Sequence, residues 1–140
     1  MPNPIELMKA LKTPEEIELI SEAMLKDGVA LVRFFAWLDR NLGKEEMTEQ
    51  SLADKLLYFR KSLPGYISLS FETISAFGPN AALPHYQPEK TGGAQIRGNG
   101  FLLIDSGAQF PEGTTDITRT KLIGEATDLM KEDYTAVLRA

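Results

Sequence analysis

The stretch from Thr13 to Gly43 restricts the fold more than any other. Thr13-Pro14-Glu15-Glu16 is a strong helix start. Thr13 caps, Pro14 suits the first helical position, and Glu16 stands three residues past the cap, where its carboxylate reaches back to the cap's backbone N–H. Ile17, Ile20, Met24, Leu31, Phe35 and Leu38 then recur at helical steps, with one turn missing at Gly28 and with Leu25 and Val32 widening the stripe. Asn41-Leu42-Gly43 supplies the stop. About 28 residues of helix reach roughly 42 Å. A rod of that length with one apolar stripe has to lie across something broad, such as a sheet. The aromatic cluster Phe34, Phe35 and Trp37 reads as core or interface.

A second helix opens at Thr48. Leu52, Leu56, Phe59 and Leu63 form its buried face, Lys55, Arg60 and Lys61 are most simply its solvated side, and Pro64-Gly65 ends it. The period changes at Tyr66. Residues 66–71 alternate and read as a strand, with 73–77 as its continuation or partner. Gly78-Pro79-Asn80 is a turn, Pro84-His85-Tyr86 is extended, and the polar, Gly-rich residues 87–100 are a loop. Residues 101–104 are a buried strand that enters a hairpin running to Leu122-Ile123, where Gly124 breaks it. Residues 125–140 are helical, with Leu129, Met130, Tyr134, Val137 and Leu138 on the apolar side. That pattern stops at Ala140 without a cap, Gly or Pro, the end expected of a truncated chain. At the other end, Pro2 and Pro4 favour an extended entry over residues 2–12. A single domain, 1–140, is the natural reading of a chain this long.

The hairpin carries the residues able to do chemistry. Its turn is Phe110-Pro111-Glu112-Gly113, with Pro at the second position and Gly at the fourth, as a type I turn prefers. If Phe110 and Gly113 close it, Asp105 sits opposite Thr118. Asp116 then lies two residues along from Thr118 and on the same face as Asp105. Diagonal neighbours of this kind are roughly 7–8 Å apart at the backbone, suiting two carboxylates that reach toward one cation or a pair of cations. A one-residue bulge would put them on opposite faces. Buried carboxylates are costly unless paired, hydrogen-bonded or bound to metal. Arg119 is the near cation in sequence, and its parity points it to the other face. Hard oxygen donors suit Mg, Mn or Ca. Most Asp pairs at strand ends are turn caps or solvated, and spacing alone leaves that reading open. His85 is the single histidine. A lone histidine is most often structural or exposed; its functional reading is a neutral imidazole that contacts a carbonyl or shuttles a proton.

Fifteen Lys and Arg against twenty Asp and Glu give a net charge of −5, which argues against a nucleic-acid surface. No apolar run approaches the length of a membrane span, and the N-terminus shows no signal pattern. The absence of Cys excludes disulfides and thiol chemistry, and cytoplasm is the default compartment.

Four blocks together resemble one known family: Pro4-Ile-Glu-Leu-Met-Lys9 with Lys12-Thr-Pro-Glu-Glu16, Thr73-Ile-Ser-Ala-Phe-Gly-Pro-Asn80 leading to Pro84-His85-Tyr86, Leu103-Ile-Asp-Ser-Gly-Ala-Gln109, and Gly113-Thr-Thr-Asp-Ile-Thr-Arg-Thr120. Over essentially all 140 residues the chain resembles the catalytic domain of aminopeptidase P (Xaa-Pro aminopeptidase), of the metallopeptidases with the pita-bread fold. The resemblance implies an α+β, partial pita-bread (creatinase/aminopeptidase) fold, with long helices packed on one face of a mostly antiparallel sheet. It implies an exopeptidase that removes an N-terminal residue preceding proline with two divalent ions, most often manganese. Asp105 and Asp116 match the first two metal ligands, Asp116 being the one expected to bridge. His85 matches the histidine expected to contact the substrate and stabilise the reacting peptide group.

The family's further ligands, one His and two Glu, come later in the fold, and no histidine follows Asp116. The chain therefore reads as the N-terminal half of a catalytic domain. Metal binding by the chain alone is expected to be weak or absent, peptidase activity absent, and an unpaired sheet edge is expected to drive self-association. The rival readings are a pita-bread module that binds peptides or proteins without catalysis, a prolidase acting on dipeptides, methionine aminopeptidase, creatinase, and an α+β domain with no site.

Overall fold

A computed structural model describes residues 3–88 and 92–140. Its longest element is helix α2, Pro14–Asn41, with the bounds the sequence predicts. The capping box forms: Thr13 N donates to Glu16 Oε2 at 2.8 Å, and Glu16 N donates to Thr13 Oγ1 at 3.2 Å. Leu42 N closes the far end on Leu38 O, and Gly43 turns the chain away at a φ of +78°. Before it, Pro4–Ala10 forms helix α1 rather than an extended entry. Pro4 is helix-compatible because it sits in the first turn, where the side chain of Asn3 accepts from Ile5 N at 3.0 Å. The other proline of that expectation, Pro2, lies outside the described residues.

The buried face of α2 differs from its apolar stripe. Ala23, Asp27, Ala30, Leu31, Phe34 and Leu38 are buried, whereas Ile17, Ile20, Met24, Leu25 and Val32 are exposed. Small side chains line the contact because the backbone of the hairpin turn comes close: a Cβ on Gly113 would lie 3.7 Å from that of Ala23. Helix α3, Glu49–Lys61, starts as expected at Thr48, here in a capping box with Ser51, and buries Leu52 and Leu56. Of the three basic residues placed on its solvated side, Lys61 is exposed and Lys55 is half-buried, its ammonium 4.8 Å from the Trp37 ring centre. Arg60 is the correction: it is 0% exposed.

Among the described residues six strands form two three-stranded antiparallel sheets. Strand β2 (Ile74–Phe77), β3 (Gly100–Ser106) and β6 (Ile117–Ile123) make one, in the order β2-β3-β6. β1 (Ser68–Leu69), β4 (Ala108–Phe110) and β5 (Gly113–Thr114) make the other, in the order β1-β4-β5. The strand predicted over 66–71 thus shrinks to two residues, and 73–77 joins the other sheet. Leu31, Phe34 and Leu38 of α2, Leu52 and Leu56 of α3, and Leu102, Ile104 and Ile117 of the sheet form the main core. Ala23, Ala30, Leu63, Ala108 and Phe110 form a second. Helix α4, Asp128–Arg139, starts after a Thr127 cap and reaches the opposite sheet face, where Tyr134 stacks on Phe101 at 5.9 Å.

The hairpin turn is tied to α2 by Lys26, which donates to Glu112 at 2.6 Å. The hydrogen bond from Lys26 holds the Glu112 carboxyl below its ordinary value of 4.5. The bonds to Glu112 and then Glu22 hold the Lys26 ammonium above its ordinary 10.5. A depressed carboxyl contributes stability above its unfolded value and loses it as pH falls; a raised ammonium contributes below its unfolded value and loses it as pH rises. The clamp's contribution is therefore full between about pH 5 and 10 and declines progressively beyond both limits. Lys26→Met is expected to flatten both limbs of a melting-temperature profile against pH. A variant profile parallel to the parent's would refute this.

Candidate metal centre

The ribbon β3-β4/β5-β6 is one continuous hairpin that passes from one sheet to the other. Ser106 pairs with Ile117, and two residues further along each strand Thr115 N donates to Ala108 O at 2.9 Å. Between those links each strand contributes one residue, Gly107 and Asp116, so there is no bulge. Asp105 stands opposite Thr118, whose hydroxyl donates to Asp105 Oδ1 at 2.7 Å. Asp116 keeps the parity of Thr118 and so shares the face of Asp105. Asp105 is half-buried and Asp116 is exposed. Arg119, opposite Ile104, lines the cleft beside α2 with Met24 and Phe35, on the other face as its parity predicts.

The intervening Ser106 and Thr115 explain why this sidedness holds. Both are fully buried toward the helices, where they meet an ion pair that sequence reasoning missed. Arg60 Nε and Nη2 donate to the two oxygens of Asp27 at 2.7 and 2.9 Å, and Nη2 also donates to Ser106 Oγ at 3.1 Å. Thr115 Oγ1 donates to Asp27 Oδ2 at 2.5 Å and accepts from Ala108 N at 2.9 Å. One polar cluster from α2 and α3 thus holds the residue next to Asp105 on one strand and the residue next to Asp116 on the other. Gly107 completes the crossing. A Cβ there would run into Thr115 O and Ser70 Oγ. Ser70 is itself bonded to both strands, its N to Gly107 O at 3.2 Å and its Oγ to Thr115 O at 2.9 Å.

Two carboxylates with oxygen donors on an open face fit a hard divalent cation as part of a ligand set. Among the described residues no three His, Cys, Asp or Glu gather where they could hold a metal ion, so His85 does not join the pair as a ligand. His85 is exposed, after the short 3-10 helix Gly78–Ala82. Its φ of +55° is the one positive value of a non-glycine residue among those described. That region costs a side-chain-bearing residue roughly 1–2 kcal/mol.

Residues 18–140 match the model of metallopeptidase family M24, and the chain belongs to that family. Among its relatives is the Xaa-Pro aminopeptidase ApepP of Drosophila melanogaster, 47% identical over 137 residues that cover 97% of this chain and 22% of that protein. Among solved structures, the X-prolyl aminopeptidase of Caenorhabditis elegans, described as a cytosolic enzyme with a di-nuclear active site, superposes with a TM-score of 0.81 at 40% identity, over 87% of this chain and 20% of that one. The prolidase of Pyrococcus furiosus gives 0.80 at 30% identity, over 96% of this chain and 37% of that one. These neighbours bear out the α+β pita-bread expectation. The chain spans about a fifth of the length of the curated relatives it matches. No helix of the described residues is long and apolar enough to cross a membrane.

Proposed function

We propose that this chain supplies the first half of a dinuclear Xaa-Pro aminopeptidase site, a single domain over 1–140 that contributes Asp105 and Asp116 as metal ligands and His85 as a substrate contact. The observation that carries the reading is the unbulged ribbon, which keeps both carboxylates on the open face while a buried ion pair holds their neighbours. The names of the relatives support the substrate class, a peptide with proline in second position. Manganese is the metal we assign, and cytoplasm the compartment. When bound, such a centre supplies Lewis acidity and an activated water for attack on a peptide carbonyl. The chain's own part is to hold two oxygen donors at a fixed separation and to present an imidazole N–H donor toward the reacting carbonyl. The outer edge of β6, unpaired among the described residues, supports self-association of the chain on its own.

The test has two arms. The purified chain is first sized by light scattering, where a clean monomer at high concentration removes the self-association. With manganese it is expected to release no amino acid from an Arg-Pro-Pro peptide, since two ligands are too few; turnover above a His85→Ala control would refute this. A hybrid in which this chain replaces the matching segment of the Drosophila relative is expected to cleave the same peptide. It should lose activity and metal on Asp116→Ala. A folded, metal-loaded hybrid that cleaves only Xaa-Pro dipeptides would make the site prolidase-like, and one that binds peptide without cleaving would make it a binding module.

A further inference from the structure

The segment that carries His85 is held by a carboxylate the sequence gives no reason to notice. Glu49, the first residue of α3, is 0% exposed although it is charged. Its Oε1 accepts from Phe77 N at 2.7 Å and from Asn80 Nδ2 at 3.0 Å. Its Oε2 accepts from the Tyr86 hydroxyl at 2.7 Å and from Ala94 N at 2.8 Å. Asn80 Nδ2 also donates to the Tyr86 oxygen at 3.0 Å. These donors come from the end of β2, from the 3-10 helix, from the residue after His85 and from the returning chain. One carboxylate therefore gathers the segment at its start, at its middle and on its return.

The socket is shaped for that group. Gly93 lies at a φ of +69°, and a Cβ there would stand 2.5 Å from Glu49 Oε2. A buried anion with this many donors is stable because each bond is charge-assisted, and because it stands at a helix N-terminus. The Glu49 carboxylate, which accepts from the Tyr86 hydroxyl, and Asn80, which donates to it, fix Tyr86, and through it the backbone of its neighbour, His85, in a region that an unconstrained residue avoids.

We propose that Glu49, with Asn80 and Tyr86, forms a positioning unit for His85: its bonds to the segment hold the imidazole in the orientation used at the peptide carbonyl. This rests on the reading of His85 given above. Glu49 and Tyr86 are positioning residues, acting through the backbone rather than on the substrate.

The test uses Tyr86→Phe, which keeps the ring and removes the hydroxyl, and Glu49→Gln, which turns one acceptor into a donor facing donors. In the 140-residue chain, a strong amide-to-α-proton NOE within His85 marks its positive φ. It is expected to fade in both variants, while the amide signals of Leu102 and Ile104 stay in place. In the hybrid enzyme, Tyr86→Phe is expected to lower kcat about tenfold at unchanged metal content and with little change in KM. In a His85→Ala background the same change should have no further effect, a non-additivity that a merely structural role would not produce. A His85 signature retained in Tyr86→Phe, or losses that simply add in the double variant, would overturn the proposal. If Glu49→Gln fails to fold, Tyr86→Phe decides alone. If His85→Ala itself leaves kcat untouched, the reading of His85 fails while the NOE result still reports on the socket.

Discussion

Arg60→Met is expected to cost the chain about 3–5 kcal/mol of unfolding free energy, among the largest effects of any single change here. The reason is what the substitution leaves behind. Asp27 is fully buried in α2, and two of its bonds come from the Arg60 guanidinium. Without that cation a carboxylate stays inside, bonded to Thr115 Oγ1 alone among the contacts of this cluster, and Ser106 loses its donor. The unfolding midpoint in urea reads the loss, with an unchanged slope as the sign that the same structure is melting. Removing both charges, as Asp27→Leu with Arg60→Met, should recover much of it, because a well-packed apolar pair avoids the desolvation cost of two ions. A loss below about 1 kcal/mol in the single variant would mean that water reaches the pair, as is usual for exposed ion pairs.

Gly107→Ala is expected to cost about 1–3 kcal/mol or more, as overpacking against unyielding groups does. Two of the nearest atoms, Thr115 O and Thr115 C, are backbone of the paired strand and cannot rotate away. The methyl would have to part the strands where Ser70 joins them, beside both Asp105 and Asp116. Gly28→Ala is the control. A Cβ at Gly28 meets nothing within 4 Å, and the position lies inside a helix, so this change should stabilise by about 0.5–1 kcal/mol. Thermal unfolding of the two variants should therefore move in opposite directions. Equal and small shifts would show that the ribbon has room at Gly107.

The parts of the fold that read directly from the sequence are those governed by local chemistry. The capping box at Thr13, the stop at Gly43 and the Thr48 start all rest on residues a few positions apart. The hairpin register reads equally well, because Pro111 and Gly113 leave little choice of turn, and from it follows the shared face of Asp105 and Asp116. What was hidden depends on partners far away in the chain. Arg60 stands four residues after Leu56, on its apolar face, and Asp27 stands four after Ala23; spacing places both inside, but charge argues that they belong outside. Only together do they make sense, and 33 positions separate them. Glu49 reads as an ordinary acidic residue in a first helical turn. Its burial depends on Tyr86 and Ala94, which no periodicity connects to it. The predicted stripe of α2 erred for a related reason: it followed the largest side chains, whereas close backbone approach selects small ones.

The Asp27–Arg60 cluster has one more consequence, for the setting of the long helix. Leucines packed on leucines tolerate sliding, since one apolar neighbour serves about as well as the next. Directional bonds do not. Moving α2 by a single turn along its axis would unseat Asp27 from Arg60 and Thr115 together, so the helix has one permitted notch, and the ribbon is indexed to it.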